Sequence, residues 1–495
     1  MAPFEPRRKL FLGRQVRRLR GELGLTQARM AEELGVSASY LTLIEQDQRP
    51  VTAPMMLRLA QTYDVDPRTL APEDDRARLA ALDEVAADPI LARAEVTAAM
   101  LHDVARAHPE VADALVRLHG AYAAARDDAA ALATSASEGA GYLGASGSVA
   151  VEEARAALQA SDNFYPALEA VAADILARAA PRTDLPQALT TGLVDHLARA
   201  HGTAVQIMPF DAMAGYLRRH DRHRRRLLLS ELLAPSGRTF QVALQIGLLE
   251  ARDAIGGLVD GAALGTAAAR GIYELTLANY LAGALMMPYD RVLEAAERLR
   301  YDVEVLASRF GASFEQVAHR LTTLRRPGAR GVPFFMLRVD RAGNISKRFG
   351  GGVFPFARTG GTCPRWPLYE AFRVPGRIVV DVSVLPEGET FLTVARTVAR
   401  PGAGAHMAPQ DMVVGLGTEA RHADRLVYGD AVRLPAPGPA GRGRRGAEGP
   451  EATPIGVTCR LCPRDDCNWR AFPPLSGTLT VSASDRRITP YRVAP

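Results

Sequence analysis

A chain of 495 residues is too long for a single hydrophobic core, and its length predicts roughly three domains. With 47% hydrophobic and 23% charged residues it has the composition of an ordinary folded protein, which excludes a disordered or collagen-like chain. The net charge of +5 and a pI near 9.1 fit a nucleic-acid partner without requiring one.

Met1 to Arg8 lacks the apolar run of a secretory signal, so a cytoplasmic protein is expected, in which four cysteines would not pair as disulfides. Residues 9–64 read as a compact helical bundle. Leu25, Thr26 and Gln27 open a helix with Thr26 as N-cap, and Met30, Ala31 and Leu34 follow on one apolar face. Gly35 breaks that helix where a positive φ is wanted, Val36 returns to the core, and Ser37 caps a second helix with Leu41 and Ile44 inward. Ser37, Ala38, Ser39, Tyr40, Thr42 and Gln46 are left at the N-terminal and outer positions, where such a helix meets base edges in the major groove. Arg14, Arg17, Arg18, Arg20, Arg29 and Arg49 are the expected phosphate contacts. A plain amphipathic helix pair with solvated arginines would not need all these caps and the glycine in register. Residues 1–72 resemble the XRE (Cro/cI-like) helix-turn-helix family of DNA-binding domains. That resemblance implies that Gln27 bonds a phosphate and braces the recognition helix.

Residues 73–150 read as a helical connector and linker. Leu79, Leu82, Val85, Ile90 and Leu91, then Val104, Val111, Leu115 and Leu118, recur at helical spacing and need a partner, either the next domain or a second copy. Operators of such regulators are two-fold symmetric, so a homodimer on double-stranded DNA is the economical expectation. The Ala/Ser/Gly-rich stretch 127–150 predicts a flexible linker.

From Val151 to about residue 325 the pattern predicts an α+β domain. Helices are expected through Val151–Gln159, Leu176, Leu197, Phe240–Glu250 and Tyr273–Met287, with short strands near Thr203–Met208 and Arg225–Leu229. The most apolar stretch, Ala262 to Pro288, is broken by Arg270 and Glu274 and predicts no membrane span. His220, Arg222, His223, Arg224, Arg225 and Arg226 form a basic run, either a solvated strand edge or an anion clamp. Phe240 to Leu249 has the cadence of a zincin helix, in which His-Glu-x-x-His supplies two zinc ligands and a general base. Leu244, Gln245 and Leu248 stand at those positions, and neither leucine can hold zinc. The segment resembles a degenerate ImmA/IrrE-like peptidase domain, so no enzyme is expected and a metallopeptidase remains the lesser alternative.

Residues 326–495 are strand-rich. Phe334–Val339 and Ile345–Phe349 flank a hairpin signal at Arg341–Asn344, and further strands are expected at Ile378–Val384, Phe391–Val398 and Asp411–Leu416. Residues 435–452 are Pro/Gly/Arg-rich and predict a disordered loop, whose Arg442, Arg444 and Arg445 are more simply solvated than DNA-bound. Cys459, Cys462 and Cys467 form C-x2-C-x4-C, and Cys363 lies upstream in Gly-Gly-Thr-Cys-Pro-Arg-Trp-Pro. Together they are every cysteine in the chain and suit a four-thiolate site for an iron–sulfur cluster or zinc. Arg365, Arg464 and Arg470 would offset part of its negative charge.

The whole arrangement resembles the short-chain fatty-acyl-CoA regulator family of bacterial transcription regulators. An all-α helix-turn-helix head, an α+β zincin-like middle and a strand-rich α+β C-terminal domain carry the likeness, the cysteine motifs most specifically. It implies control of acetate-, propionate- or glyoxylate-type carbon metabolism with an acyl-CoA effector. No residue independently marks an acyl-CoA site. A redox or iron sensor, with the cysteine-bound centre as the signal, is the alternative.

Overall fold

The computed structural model describes residues 13–46, 48–63, 74–92, 96–138, 145–179, 185–350, 354–356, 362–400, 410–432, 452–465, 467–474, 478–480, 484, 488 and 492–494. The chain divides into two compact units, Met1–Leu79 and Ala80–Pro495.

The first unit holds α1 (Gly13–Glu22), α2 (Gln27–Glu33), α3 (Ala38–Glu45) and α4 (Ala53–Tyr63). Val16, Leu19, Met30, Ala31, Leu34, Leu41, Ile44, Val51, Met55 and Leu59 form its core, one apolar stripe from each helix. Thr26 and Ser37 cap α2 and α3 through bonds from the N–H groups of Arg29 and Tyr40. Gly35 takes φ 63° in the turn between them, a conformation that a side chain would resist. Helix α5 (Asp74–Ala86) runs across the limit between the units.

The second unit continues with α6 (Pro89–Ala92), α7 (Ala98–Ala107), α8 (Pro109–Glu138) and α9 (Ala145–Ala160). The flexible linker expected over 127–150 is therefore corrected: α8 runs through 138 and α9 starts at 145. The reason is alanine, the strongest helix former, which outweighs the serines in these segments, while 139–144 lie outside the described residues.

Helices α10 (Pro166–Ala179) and α11 (Pro186–His201) precede β1 (Ala204–Met208), β2 (Arg218–Asp221) and β3 (Arg226–Ser230). These strands form a small sheet of order β1-β3-β2, parallel between β1 and β3. Next come α12 (Pro235–Glu250), α13 (Arg252–Asp260), α14 (Ala267–Met286), α15 (Tyr289–Arg298), α16 (Val303–Phe310) and α17 (Phe314–Thr322). Among the described residues no helix is long and apolar enough to cross a membrane.

The strands expected in the last third are present as β4 (Phe335–Val339), β5 (Ile345–Phe349), β6 (Val379–Val384), β7 (Thr390–Arg400) and β8 (Gln410–Glu419). With the two-residue β9 (Thr453–Pro454) they form a sheet of order β5-β4-β8-β7-β6-β9, and a separate ribbon pairs β10 (Thr478–Thr480) with β11 (Arg492–Ala494). The expected disordered loop over 435–452, with its arginines, lies outside the described residues except for position 452.

Alternation along the strands gives the large sheet two apolar faces. Met336, Leu392, Val394, Val414 and Leu416 pack with α15–α17 residues such as Val292, Leu306 and Val317. Phe335, Leu337, Phe391, Ala395 and Val413 face the other way, onto Phe354, Cys363, Trp366, Leu368 and Ile455. The boundary expected near 325 is thus no gap between cores. The helices before it and the sheet after it share one core.

A buried ion pair ties α17 to α10. Arg320, 1% exposed, donates to both oxygens of Glu169 at 2.6 and 3.0 Å and to the Met287 carbonyl at 2.9 Å. The Tyr280 hydroxyl adds a bond to Glu169 at 2.5 Å.

Candidate nucleic-acid interface and thiolate centre

In the first unit, α3 carries its apolar face inward through Leu41 and Ile44. Ser37, Ala38, Ser39, Gln46 and Arg49 are exposed, and Tyr40 and Thr42 are half-buried beside them. The Ser37 and Ser39 hydroxyls lie 3.1 Å apart, and the Thr42 hydroxyl bonds back to the Ala38 carbonyl. The guanidinium of Arg49 stacks over the Tyr40 ring at 5.2 Å. Arg17 is exposed on α1, and Thr26 at the start of α2.

Glu45 at the end of α3 is the acid that sequence reasoning missed. It accepts Arg20 Nε at 2.7 Å and Gln27 Nε2 at 2.9 Å, locking the ends of α1 and α3 and the start of α2 together. Gln27 therefore braces the second helix from within the bundle. Arg20, expected on phosphate, is turned inward to Glu45 and the Leu25 carbonyl. Arg29 pairs with Glu32 and Glu33 on its own helix. The side chains of Arg14 and Arg18 lie outside the described residues. The pairing was hidden because 25 residues separate Arg20 from Glu45.

In the second unit the three zincin positions fall on α12. Leu244 and Gln245 are buried, and Leu248 is half-buried against the same core. Gln245 accepts from Arg218 on β2 and lies 3.4 Å from His220 Nδ1. The position of a general base is thus taken by an amide that satisfies a basic strand. The basic run forms the exposed β2–β3 hairpin, with Arg222 to Arg226 facing solvent.

The four cysteines come together. Cys363, Cys459, Cys462 and Cys467 line one small cavity, with Pro364, Pro454, Ile455, Gly456, Arg464 and Arg470. Strand β9 explains how. It pairs with β6 through Ser383 and Val384, and Ile455 continues the pairing onto the Val384 carbonyl. That pins the loop after residue 455 beside the Cys363 segment. Buried Arg470 then holds the loop by donating to the carbonyls of Cys459 at 2.7 Å and Cys462 at 2.9 Å.

Burial pushes the thiols of Cys363 and Cys462 above their ordinary range. Backbone N–H groups oppose it, from Gly456 and Arg365 at Cys363 and from Arg464 at Cys462. The Ala471 N–H donates to Cys459 Sγ at 3.4 Å. Amides aimed at sulfur favour thiolate, as a metal ligand must be. Among the described residues no three of these thiols lie within 4.8 Å of one another. Four thiolates around one zinc would stand about 3.8 Å apart, given Zn–S bonds near 2.3 Å.

Gly456 sets the width of this cavity, since a Cβ there would lie 2.8 Å from Cys462 Sγ. Gly456→Ala is expected to cost about 1–3 kcal/mol and, if the thiols hold the expected metal, to lower the metal content of the purified protein. Elemental analysis with a denaturation curve checks it. Wild-type values in both would mean the loop yields freely.

Known proteins share this architecture. Residues 12–72 match a helix-turn-helix domain, residues 198–322 the IrrE N-terminal-like domain, and residues 323–491 the short-chain fatty acyl coenzyme A regulator C-terminal domain. The HTH-type transcriptional regulator RamB of Mycobacterium tuberculosis is 38% identical over 488 residues, covering 98% of this chain and 99% of the relative. The propionyl-CoA carboxylase regulator of Cereibacter sphaeroides is 38% identical over 486 residues, with coverage of 98% and 99%. A solved Mycobacterium tuberculosis transcriptional regulator matches at 35% identity and a TM-score of 0.62, over 69% of this chain and 99% of that one. With the capped α2–α3 pair, the leucines at the zincin positions and the thiol loop all in place, the chain is a helix-turn-helix transcription regulator and belongs to the short-chain fatty acyl coenzyme A regulator family.

Proposed function

We propose that the protein is a cytoplasmic homodimer that reads an operator through α3 and changes its operator affinity when a short-chain acyl-CoA binds. The observation that carries the reading is the doubly capped α2–turn–α3 pair. Its bracing onto Glu45 leaves Ser39, Gln46 and Arg49 outward. Base contact falls to Ser37, Ala38, Ser39, Tyr40, Thr42 and Gln46, and phosphate contact to Arg17, Thr26, Gln27 and Arg49. The acyl-CoA effector is supported by the family description and by the propionyl-CoA carboxylase regulator among the relatives. Pairing of two copies is supported by exposed Val111, Leu118 and Tyr122, which recur at helical spacing along α8. Zinc hydrolysis forms no part of the proposal, because Leu244 and Leu248 offer no ligand atom.

The test is operator binding titrated with acetyl-CoA, propionyl-CoA and free CoA. A thioester that shifts the affinity while free CoA does not supports the effector. A flat response to all three overturns it. Ser39→Ala is expected to weaken the cognate site by about 1–3 kcal/mol more than random DNA. Arg17→Ala should weaken both and reduce the salt slope by about one. Equal losses for the two variants on every sequence would misplace the reading helix.

The thiol cavity favours a second reading, in which Cys363, Cys459, Cys462 and Cys467 hold a metal centre whose state is itself a signal. Convergence of all four cysteines on one cavity supports the reading, with an iron–sulfur cluster or zinc as the group held. Operator release on oxidation of anaerobically purified protein, absent in a Cys459→Ser variant, would establish it.

A further inference from the structure

Three helices of the middle layer end at one place. The last turn of α10 brings Arg178, α11 ends on His201 with His196 before it, and α12 ends on Glu250. His196 Nε2 lies 2.5 Å and His201 Nε2 2.8 Å from the same oxygen, Glu250 Oε1. Arg178 approaches the other carboxylate oxygen at 2.9 Å and also bonds Asp174 at 2.7 Å. The two imidazole nitrogens and the carboxylate oxygen lie within 4.8 Å of one another, the metal-competent group found among the described residues. His196 and Glu250 are nearly buried, and His201 is about a quarter exposed.

We infer that His196, His201 and Glu250 form a binding site for a divalent transition cation of the zinc class, separate from the zincin positions and from the thiol cavity. Two neutral imidazoles and one carboxylate are a recurrent ligand set for such an ion, with a fourth position left to water. Ligands at about 2.0–2.1 Å in a tetrahedron stand about 3.3 Å apart, so side-chain movements of about an ångström admit the ion. Arg178 occupies the oxygen the ion does not need and fixes the carboxylate, as an outer partner of a metal ligand does. The ends of three helices add partial negative charge, which favours a cation and disfavours a lone carboxylate. The opening through His201 is the entry path. A bound ion would clamp α10, α11 and α12 at their C-terminal ends.

The full-length chain, freed of metal with a chelator, is titrated with Co(II). In the Cys459→Ser chain, where the thiol set is broken, one equivalent is expected to give d–d absorption without a sulfur-to-metal charge-transfer band, which distinguishes the site from the thiols. That signal should vanish when His201→Ala or Glu250→Gln is added to Cys459→Ser. Zinc should raise the melting temperature of Cys459→Ser but not of Cys459→Ser/His201→Ala. His201 is terminal and partly exposed, so its alanine variant keeps the fold. A cobalt spectrum that is all thiolate, or one unchanged in His201→Ala, would overturn the site and leave the cluster a hydrogen-bonded latch. Operator binding is not the readout, so the outcome stands apart from the proposed function.

Discussion

Glu169→Ala is expected to destabilise the Ala80–Pro495 unit by about 3–5 kcal/mol. The variant leaves the Arg320 guanidinium, 1% exposed, with no carboxylate to offset its charge. The Met287 carbonyl, the Thr323 hydroxyl and the neighbouring Tyr280 and Tyr289 would remain beside it, none of them carrying a compensating charge. The Tyr280 hydroxyl loses its acceptor at the same time. Denaturant unfolding followed by circular dichroism measures the loss. Glu169→Ala/Arg320→Met should recover much of it, because an apolar side chain of similar reach removes the stranded charge. A loss under about 1 kcal/mol in the single variant would mean that water reaches the pair.

If the four cysteines hold the metal centre proposed above, Cys459→Ser is expected to remove it outright. A serine hydroxyl is a poor substitute for a soft thiolate, and the remaining three sulfurs cannot close the coordination. Cys363→Ser should match it, although 363 lies far upstream, because both line the same cavity. Metal content and visible absorbance of anaerobically purified protein are the readouts. Full metal content in both variants, or four readily titrated thiols in the wild type, would remove the centre from the account.

The reading head was legible because its signals are local. Thr26, Gly35 and Ser37 each act within a few residues, so caps and turn follow from the string itself. The large sheet was legible for the same reason, since short apolar, β-branched runs bounded by turn residues mark β4, β6, β7 and β8. The cysteines were found by spacing and rarity of type, and the structure supplied their convergence. What escaped depends on pairs distant in sequence. Arg20 with Glu45, Glu169 with Arg320, and His196 with Glu250 are ordinary charged residues until folding brings them together. The helix through 138 was lost for another reason, since runs of alanine and serine look like a spacer unless intrinsic propensity is weighed.

The sheet whose two faces serve different cores has an evolutionary corollary. Severing the chain between residues 322 and 323 would bare Met336, Leu392, Val394, Val414 and Leu416, so neither piece is expected to stay dissolved alone. The head has its own interior and can be traded among relatives like a replaceable tool. The rest must drift as one inheritance, with any new chemical preference written into helices and strands together.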